Sequence, residues 1–297
     1  MGNERNYVNR EYKDRLFKLI FREKEDLLQL YNAINGTDYG NPEDMEINTL
    51  EDAVYMGMKN DVSFLVKDIL NLYEHQSTYS PNLPLRGLFY FADLYRKIMT
   101  GDDRDIYGSK QIQLPFPQFV VFYNGTRMQP ERQVFHLHSA FPEGMNRGNA
   151  AIDCHAVMLN INYGQNREIM RKCRKLEEYS LFIEKVRENK KRKVSIREAI
   201  DRAVEECINE GILEKILREN REEVCSMLLS EYDEQAHIES EKKIAREEGI
   251  QEGIIKGREL MIQLVQYLQK DGRLRDLELL SDEDARKKLY QEYNLTE

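Results

Sequence analysis

Two acidic residues flank a predicted β-hairpin in the first third of the chain. Residues 61–66 are rich in β-branched and aromatic side chains, and residues 70–76 alternate apolar and polar, with Lys67-Asp68-Ile69 between them. Because the start of one antiparallel strand lies beside the end of the next, we expect Asp61 and Glu74 to be close together on one face. Such a pair is typical of a site for Mg²⁺, which takes carboxylate, water and phosphate oxygens as ligands.

Two neighbours of Glu74 could take part in the same chemistry. Gln76 lies two residues further on and therefore shares the face of Glu74. The side chain of His75 points to the opposite face, but its backbone carbonyl lies at the strand edge near the acids. The alternative is an ordinary hairpin with solvated acids at its ends, and spacing alone favours it, because an Asp followed a dozen residues later by Glu-x-Gln is common by chance.

An ordered set of segments makes the chain resemble a known nuclease family. Asp, a hairpin, Glu-x-(Lys or Gln) and a following helix resemble the PD-(D/E)XK nuclease superfamily, and more closely its Rpn-type branch of recombination-promoting nucleases, often labelled PD-(D/E)XK nuclease family transposases. The likeness covers most of the chain. It is carried, in order, by DRLFKLIF (14–21), KNDVSFLV (59–66), YEHQSTYSPNLPLRGLFYFADLY (73–95), FVVFYNGT (119–126) and LNINYGQNREIMRKCRKLEEY (159–179).

The resemblance implies a metal-dependent DNA endonuclease. Asp61 and Glu74 would ligate Mg²⁺, with Mn²⁺ or Ca²⁺ as alternatives, the His75 carbonyl as a further ligand and Asp14 as an outer one. Asp14 could equally complement the positive end of a helix dipole. Most superfamily members carry Lys two residues after the second acid, where this chain has Gln76, which can orient a water but cannot act as a base at neutral pH.

The predicted elements that position these residues are helices and strands in the order expected of an α/β protein. Residues 10–35 show helical apolar spacing, with Gly36 as the C-cap. A polar link (41–52), a strand (53–58), the hairpin, a helix (85–99) and a buried strand (118–123) follow, then further strands at 132–140 and 151–162. The resemblance implies a restriction-endonuclease-like core, a mixed sheet flanked by helices, over residues 1–163, with a helical extension over residues 164–297.

Three other groups of side chains could each have a functional or a structural role. Arg86 and Tyr90 share a helix face near Glu74 and could contact a phosphate of DNA, whereas plain packing is the alternative for Tyr90. Lys190, Lys191, Arg192 and Lys193 could hold the DNA backbone or form a solvated helix end. His136 and His138 share a strand face, but no third ligand accompanies them at a sensible spacing, so they are expected to be structural, as is His155.

The remainder of the C-terminal half reads as helices. Residues 166–190 and 195–220 have helical apolar spacing, and Ser195 with Glu198 forms a capping box. Residues 241–268 predict a long helix whose Gly249, Gly253 and Gly257 form one stripe. Since each glycine disfavours a helix by roughly 1 kcal/mol, the stripe indicates a close inter-helix contact, either on the core or between subunits of a homo-oligomer.

Composition narrows the functional classes. The chain has 297 residues, 41% hydrophobic, with a net charge of −9 that is not typical of a nucleic-acid binder. The lack of a signal peptide or of a membrane-length apolar run predicts a cytoplasmic protein, and four scattered cysteines predict reduced thiols. The predicted endonuclease would act in recombination, mobile elements or phage defence. Two alternatives are an inactive DNA-binding or assembly protein and a toxin-like nuclease restrained by its tail.

Overall fold

The computed structural model describes residues 15–47, 62–101 and 105–295. Asp14, Asp61 and the strand predicted at 53–58 lie outside the described residues. The chain forms two compact units, Met1–Tyr232 and Asp233–Glu297. The division does not fall after residue 163, because apolar side chains of the helices that follow the sheet share one hydrophobic core with it.

The first unit contains a mixed sheet of six described strands. In chain order they are β1 (Met45–Ile47), β2 (Val62–Val66), β3 (Ile69–Gln76), β4 (Phe116–Tyr123), β5 (Arg132–His136) and β6 (His155–Asn160). Their order across the sheet is β1-β2-β3-β4-β6-β5. Strands β3, β4 and β6 run parallel, whereas β1, β2 and β5 pair antiparallel with their neighbours. The predicted mixed sheet with flanking helices is therefore confirmed.

The predicted hairpin is formed by β2 and β3. Its last pair is Val66 with Ile69, so the loop has two residues, Lys67 and Asp68, rather than three. Lys67 has φ +53°, the left-handed conformation that tight hairpin turns require at a central position. At the open end the last described pair is Val62 with Tyr73.

Helices cover both faces of this sheet. The hydrophobic core on one face includes side chains of α1 (Arg15–Ile20), α2 (Lys24–Asn35), α4 (Arg167–Lys172), α5 (Arg174–Lys191), α6 (Ile196–Glu210) and α7 (Glu214–Glu219). The other face packs against α3 (Leu83–Gly101). Successive strand residues alternate between the two cores: Tyr73 and Phe122 face the first, and Leu72 and Val121 face the second. This alternation follows from the two-residue period of a strand.

Several predicted helices are divided. Residues 10–35 do not form one helix in their described part, because Glu23 has an extended backbone and starts α2 as its N-cap; Gly36, at φ +66°, ends α2 as predicted. A bend at Cys173 separates α4 from α5, and Gly211 at φ +73° separates α6 from α7. Apolar periodicity continues across such breaks because both pieces face one core, and it therefore does not mark them.

Strand boundaries also differ from the prediction. The polar link predicted at 41–52 contains β1, whose Met45 is buried against the sheet. The strand predicted at 132–140 ends at His136 and continues as a 3₁₀ turn, Leu137–Ala140. The strand predicted from residue 151 begins at His155, and residues 151–154 belong to the preceding loop.

The second unit is helical. It contains the C-terminal part of α8 (Arg221–Lys270), a 3₁₀ helix (Leu274–Ser281) and α9 (Glu283–Glu292), with Leu264, Leu268 and Leu289 in a small core. A Cβ built at Gly249, Gly253 or Gly257 would meet no described atom within 4 Å. A close inter-helix contact of this stripe, either on the core or between subunits, stays a prediction. No described helix combines the length and apolarity that a membrane crossing needs.

Candidate functional site

The parallel strands bring polar residues together at one edge of the sheet. Glu74 and Gln76 lie at the carboxyl end of β3, Asn124 follows β4, and Asn160 ends β6. Gln76 pairs with Tyr123, and Tyr123 pairs with Asn160, so the three strand ends are level. In open α/β sheets, ligands bind in the crevice outside these ends.

Glu74 and Arg86 form a charge pair at this edge. The side chain of Glu74 is 6% exposed and that of Arg86, from α3, is 34% exposed, and the guanidinium Nη2 bonds Oε1 of Glu74. The same Nη2 lies 3.5 Å from the hydroxyl of Tyr90, one helical turn further on. No hydrogen-bond donor of the described residues reaches Oε2 of Glu74, although this oxygen is buried. Within the described ranges, one oxygen of the carboxylate thus bonds a cation and the other has no partner.

Gln76 presents a second unsatisfied oxygen on the same strand face. Its Nε2 donates to the backbone carbonyl of Thr78, and its buried Oε1 has no partner among the described residues. The amide is therefore fixed by its nitrogen, with its oxygen left to accept. A buried unsatisfied acceptor costs about 1–3 kcal/mol, and two of them two residues apart call for an explanation such as an ion or ordered water.

His75 lies on the opposite face, as predicted, and belongs to a buried polar group. Its Nε2 is 2.8 Å from the hydroxyl of Tyr179 in α5, and that hydroxyl accepts a hydrogen bond from Nδ2 of Asn124 at 2.7 Å. The imidazole also stacks on Phe17, with ring centroids 5.3 Å apart. These contacts join α1 and α5 to the ends of β3 and β4, so the His75 side chain holds the scaffold beneath the edge.

Arg187 fastens α5 to the same edge. Its Nη1 donates to Oδ1 of Asn162 at 2.6 Å, and its Nη2 donates to the carbonyl of Asn124. Asn162 in turn donates to the carbonyl of Gly125 at 3.0 Å. The sequence analysis singled out neither Arg187 nor Tyr179 as a site residue. The Asn124-Gly125 turn directly after a buried strand was the signal that could have pointed to this position.

The polar atoms of the described residues can be compared with the ligands that a divalent cation requires. Oε2 of Glu74 and Oε1 of Gln76 are buried oxygens without partners among the described residues, which suits an ion that prefers oxygen ligands. The guanidinium of Arg86 on Oε1 of Glu74 opposes a second positive charge there. The described residues therefore offer a cation one carboxylate oxygen and one amide oxygen. The ligand roles of Asp61 and Asp14 stay predictions.

The other predicted DNA contacts are Tyr90 and the basic residues 190–193. Tyr90 is 3% exposed within the core beneath α3, which agrees with the packing alternative. Lys190, Lys191, Arg192 and Lys193 are exposed at the C-terminal end of α5 and in the turn after it, and Nζ of Lys190 lies 4.5 Å from the ring centre of Tyr232. Whether this basic cluster holds the DNA backbone or is a solvated helix end stays open.

A second cluster corrects the prediction for the histidines. His136 and His138 do have a third ligand-type neighbour, Asp153, and one donor atom of each lies within 4.8 Å of the others. Sequence spacing missed it because the antiparallel pairing of β5 with β6 creates the proximity. Desolvation raises the pKa of Asp153, but hydrogen bonds from the side chain and backbone of His138 outweigh it, so the pKa is lowered overall.

Comparison with known proteins adds no assignment. No protein-family model matches the chain, and no curated protein and no solved structure is significantly similar to it.

Proposed function

We propose that the chain is a metal-dependent DNA endonuclease that hydrolyses phosphodiester bonds on a restriction-endonuclease-like core. The supporting observation is the Glu74 carboxylate at the carboxyl end of a central parallel strand, with one buried oxygen that has no partner in the part of the chain that the structure describes. The mixed sheet with helices on both faces is compatible with such a core. The Rpn-type resemblance of the sequence supplies the reaction class, and the cytoplasmic location stays a prediction.

Each predicted site residue has a role in this proposal. Glu74 and Asp61 would hold Mg²⁺, with the His75 carbonyl and Asp14 as further ligands; Mn²⁺ or Ca²⁺ could substitute. The bound ion supplies a lowered pKa for a coordinated water and a positive charge beside the phosphate. Gln76 orients the attacking water through hydrogen bonds. Arg86, which is one-third exposed, turns from Glu74 towards the scissile phosphate when DNA binds.

A second candidate is an inactive DNA-binding or assembly protein that keeps the fold. The ion pair between Arg86 and Glu74 favours it, because this pair already neutralises the carboxylate without a metal. Gln76 in place of Lys also removes a cation from the site. On this alternative DNA binding is independent of Mg²⁺, and the basic residues 190–193 carry it.

Cleavage of supercoiled plasmid DNA separates the two candidates. Wild type is compared with Asp61→Ala and Glu74→Ala in Mg²⁺ and in EDTA, and Asp68→Ala, an exposed acid at the closed end of the same hairpin, is the matched control. The endonuclease proposal predicts Mg²⁺-dependent nicking that both site variants lose and the control keeps. No cleavage by wild type in Mg²⁺, Mn²⁺ or Ca²⁺, with DNA binding intact, would leave the inactive alternative.

A further inference from the structure

Three of the five histidines of the chain lie in one corner of the sheet, away from Glu74. His136 ends β5 and pairs directly with His155 at the start of β6, while His138 lies in the 3₁₀ turn after β5. The rings of His136 and His138 stack with centroids 4.8 Å apart, and the ring of His155 is 5.9 Å from that of His136. Asp153 lies just before β6 and completes the group.

The donor atoms are spaced as ligands of one small metal ion. Oδ2 of Asp153 lies 3.2 Å from Nδ1 of His138 and 3.9 Å from Nδ1 of His136. Zinc–nitrogen and zinc–oxygen bonds of about 2.0–2.1 Å in a tetrahedron place neighbouring ligand atoms about 3.4 Å apart. The observed separations bracket that value. All three donor atoms lie within 4.8 Å of one another, so closing the site around an ion needs them to approach by at most about 1.4 Å.

The backbone orients Asp153 for this role. Its Oδ1 accepts hydrogen bonds from the backbone N–H groups of His138 at 3.2 Å and of Cys154 at 3.0 Å. With Oδ1 held in this way, Oδ2 is turned towards both imidazoles. Outer hydrogen bonds that fix a ligating carboxylate are a regular feature of protein metal sites. An ordinary surface ion pair between His138 and Asp153 would not require the second imidazole beside the same oxygen.

We propose that His136, His138 and Asp153 form a Zn²⁺ site, with water or His155 as the fourth ligand. Two imidazoles and one carboxylate suit Zn²⁺, whereas Mg²⁺ prefers an all-oxygen environment. This site is independent of the proposed Mg²⁺ site at Glu74.

The ion has a structural role that follows from its position. His138 and Asp153 lie at the two ends of an exposed segment, residues 139–152, which contains the short 3₁₀ helix Arg147–Asn149. A metal bond between the ends of a segment restricts it as a clip does. Zn²⁺ would therefore fasten this segment to the edge of the sheet formed by β5 and β6.

Zinc titration of tag-free protein tests the site directly. Isothermal calorimetry and metal analysis after dialysis compare wild type with His138→Asn and Asp153→Asn, and Asp38→Asn, another exposed acid, is the control. Loss of an outer-shell group costs about 10–100-fold in metal affinity, so we expect loss of a ligand to weaken Zn²⁺ binding by at least about 100-fold. The control keeps one Zn²⁺ per chain.

Limited proteolysis measures whether Zn²⁺ restrains residues 139–152. Trypsin cleavage after Arg147 should be slowed by Zn²⁺ in wild type and in Asp38→Asn, but not in Asp153→Asn. The proposal is overturned if wild type does not bind Zn²⁺, or if both site variants bind it as tightly as wild type. If Zn²⁺ slows cleavage after Arg147 as much in Asp153→Asn as in wild type, the structural role proposed for the ion is refuted. None of these results depends on DNA cleavage, so failure here is distinguishable from failure of the endonuclease proposal.

Discussion

Replacing Arg86 with methionine removes the cation beside Glu74 and keeps most of the aliphatic side chain. The carboxylate of Glu74 is 6% exposed, so Arg86→Met leaves a buried charge without its partner. Breaking a fully buried pair costs about 3–5 kcal/mol. Since Arg86 itself is 34% exposed and partly screened by solvent, we expect a loss of about 2–3 kcal/mol in the free energy of unfolding.

Magnesium should reverse part of this loss if Glu74 is a metal ligand. Without the guanidinium, both oxygens of the carboxylate become available to the ion. A ligand present at ten times its dissociation constant stabilises the folded state by about 1.4 kcal/mol. Mg²⁺ should therefore bind Arg86→Met more tightly than wild type and restore roughly half of the lost stability. The double variant Arg86→Met/Glu74→Gln should show no such restoration.

Urea unfolding followed by near-UV circular dichroism measures the effect. The chain has no tryptophan, and the buried tyrosines of the described residues, Tyr31, Tyr73, Tyr90, Tyr123 and Tyr179, all lie in the first unit, so their signal reports its packing. Arg96→Met on the same helix is the matched control. Arg96 pairs with Asp93 on the surface and should cost less than about 1 kcal/mol. Equal losses in the two Arg variants, or no effect of Mg²⁺ on Arg86→Met, would refute the reasoning.

Four further predictions address other parts of the chain. Ser195→Ala removes the side chain that accepts from the backbone N–H of Glu198 and should lower the stability of the first unit by about 1 kcal/mol, measured in urea; no change would show that the cap is dispensable. Replacing residues 190–193 with glutamine should weaken DNA binding and reduce the slope of log affinity against log salt by up to about 3–4, whereas an unchanged slope would exclude these residues as phosphate contacts. Removing residues 233–297, the second unit, should raise plasmid cleavage if the tail restrains the nuclease, and unchanged or lost cleavage would count against restraint. Burial raises the pKa of the Cys207 thiol to about 12, so its contribution to stability is complete below the ordinary thiol pKa and is lost as pH rises towards 12; Cys207→Ala should therefore flatten the fall of the urea midpoint between pH 9 and 11.

Local patterns in the sequence predicted the elements that carry the Glu74 site. The alternation of residues 70–76 and the apolar run at 118–123 correctly indicated two strands, and the helix predicted at 85–99 lies within α3. These signals depend on neighbours along the chain. The ion pair of Glu74 with Arg86 was not foreseen, because the sequence placed Arg86 near the metal strand without showing which group its guanidinium would meet.

Features that depend on tertiary pairing could not be read from the sequence. Asp153 is fifteen positions from His138, and only the antiparallel register of β5 and β6 makes them neighbours. The bend at Cys173 has no glycine or proline to announce it. The same holds for the shared core of the sheet and the helices after residue 163, since apolar spacing identifies a buried face without identifying what covers it.

The initial rate of Mg²⁺-dependent plasmid nicking by Glu74→Gln tests the central claim most directly. The substitution keeps the shape of the side chain and removes the charge, and its fold can be verified by circular dichroism. The proposal predicts nicking by wild type and a loss of at least about 100-fold in the variant, since a metal ligand contributes more than the outer-shell groups whose loss costs about 10–100-fold. Nicking by a folded Glu74→Gln protein at the wild-type rate would contradict the assignment of this site.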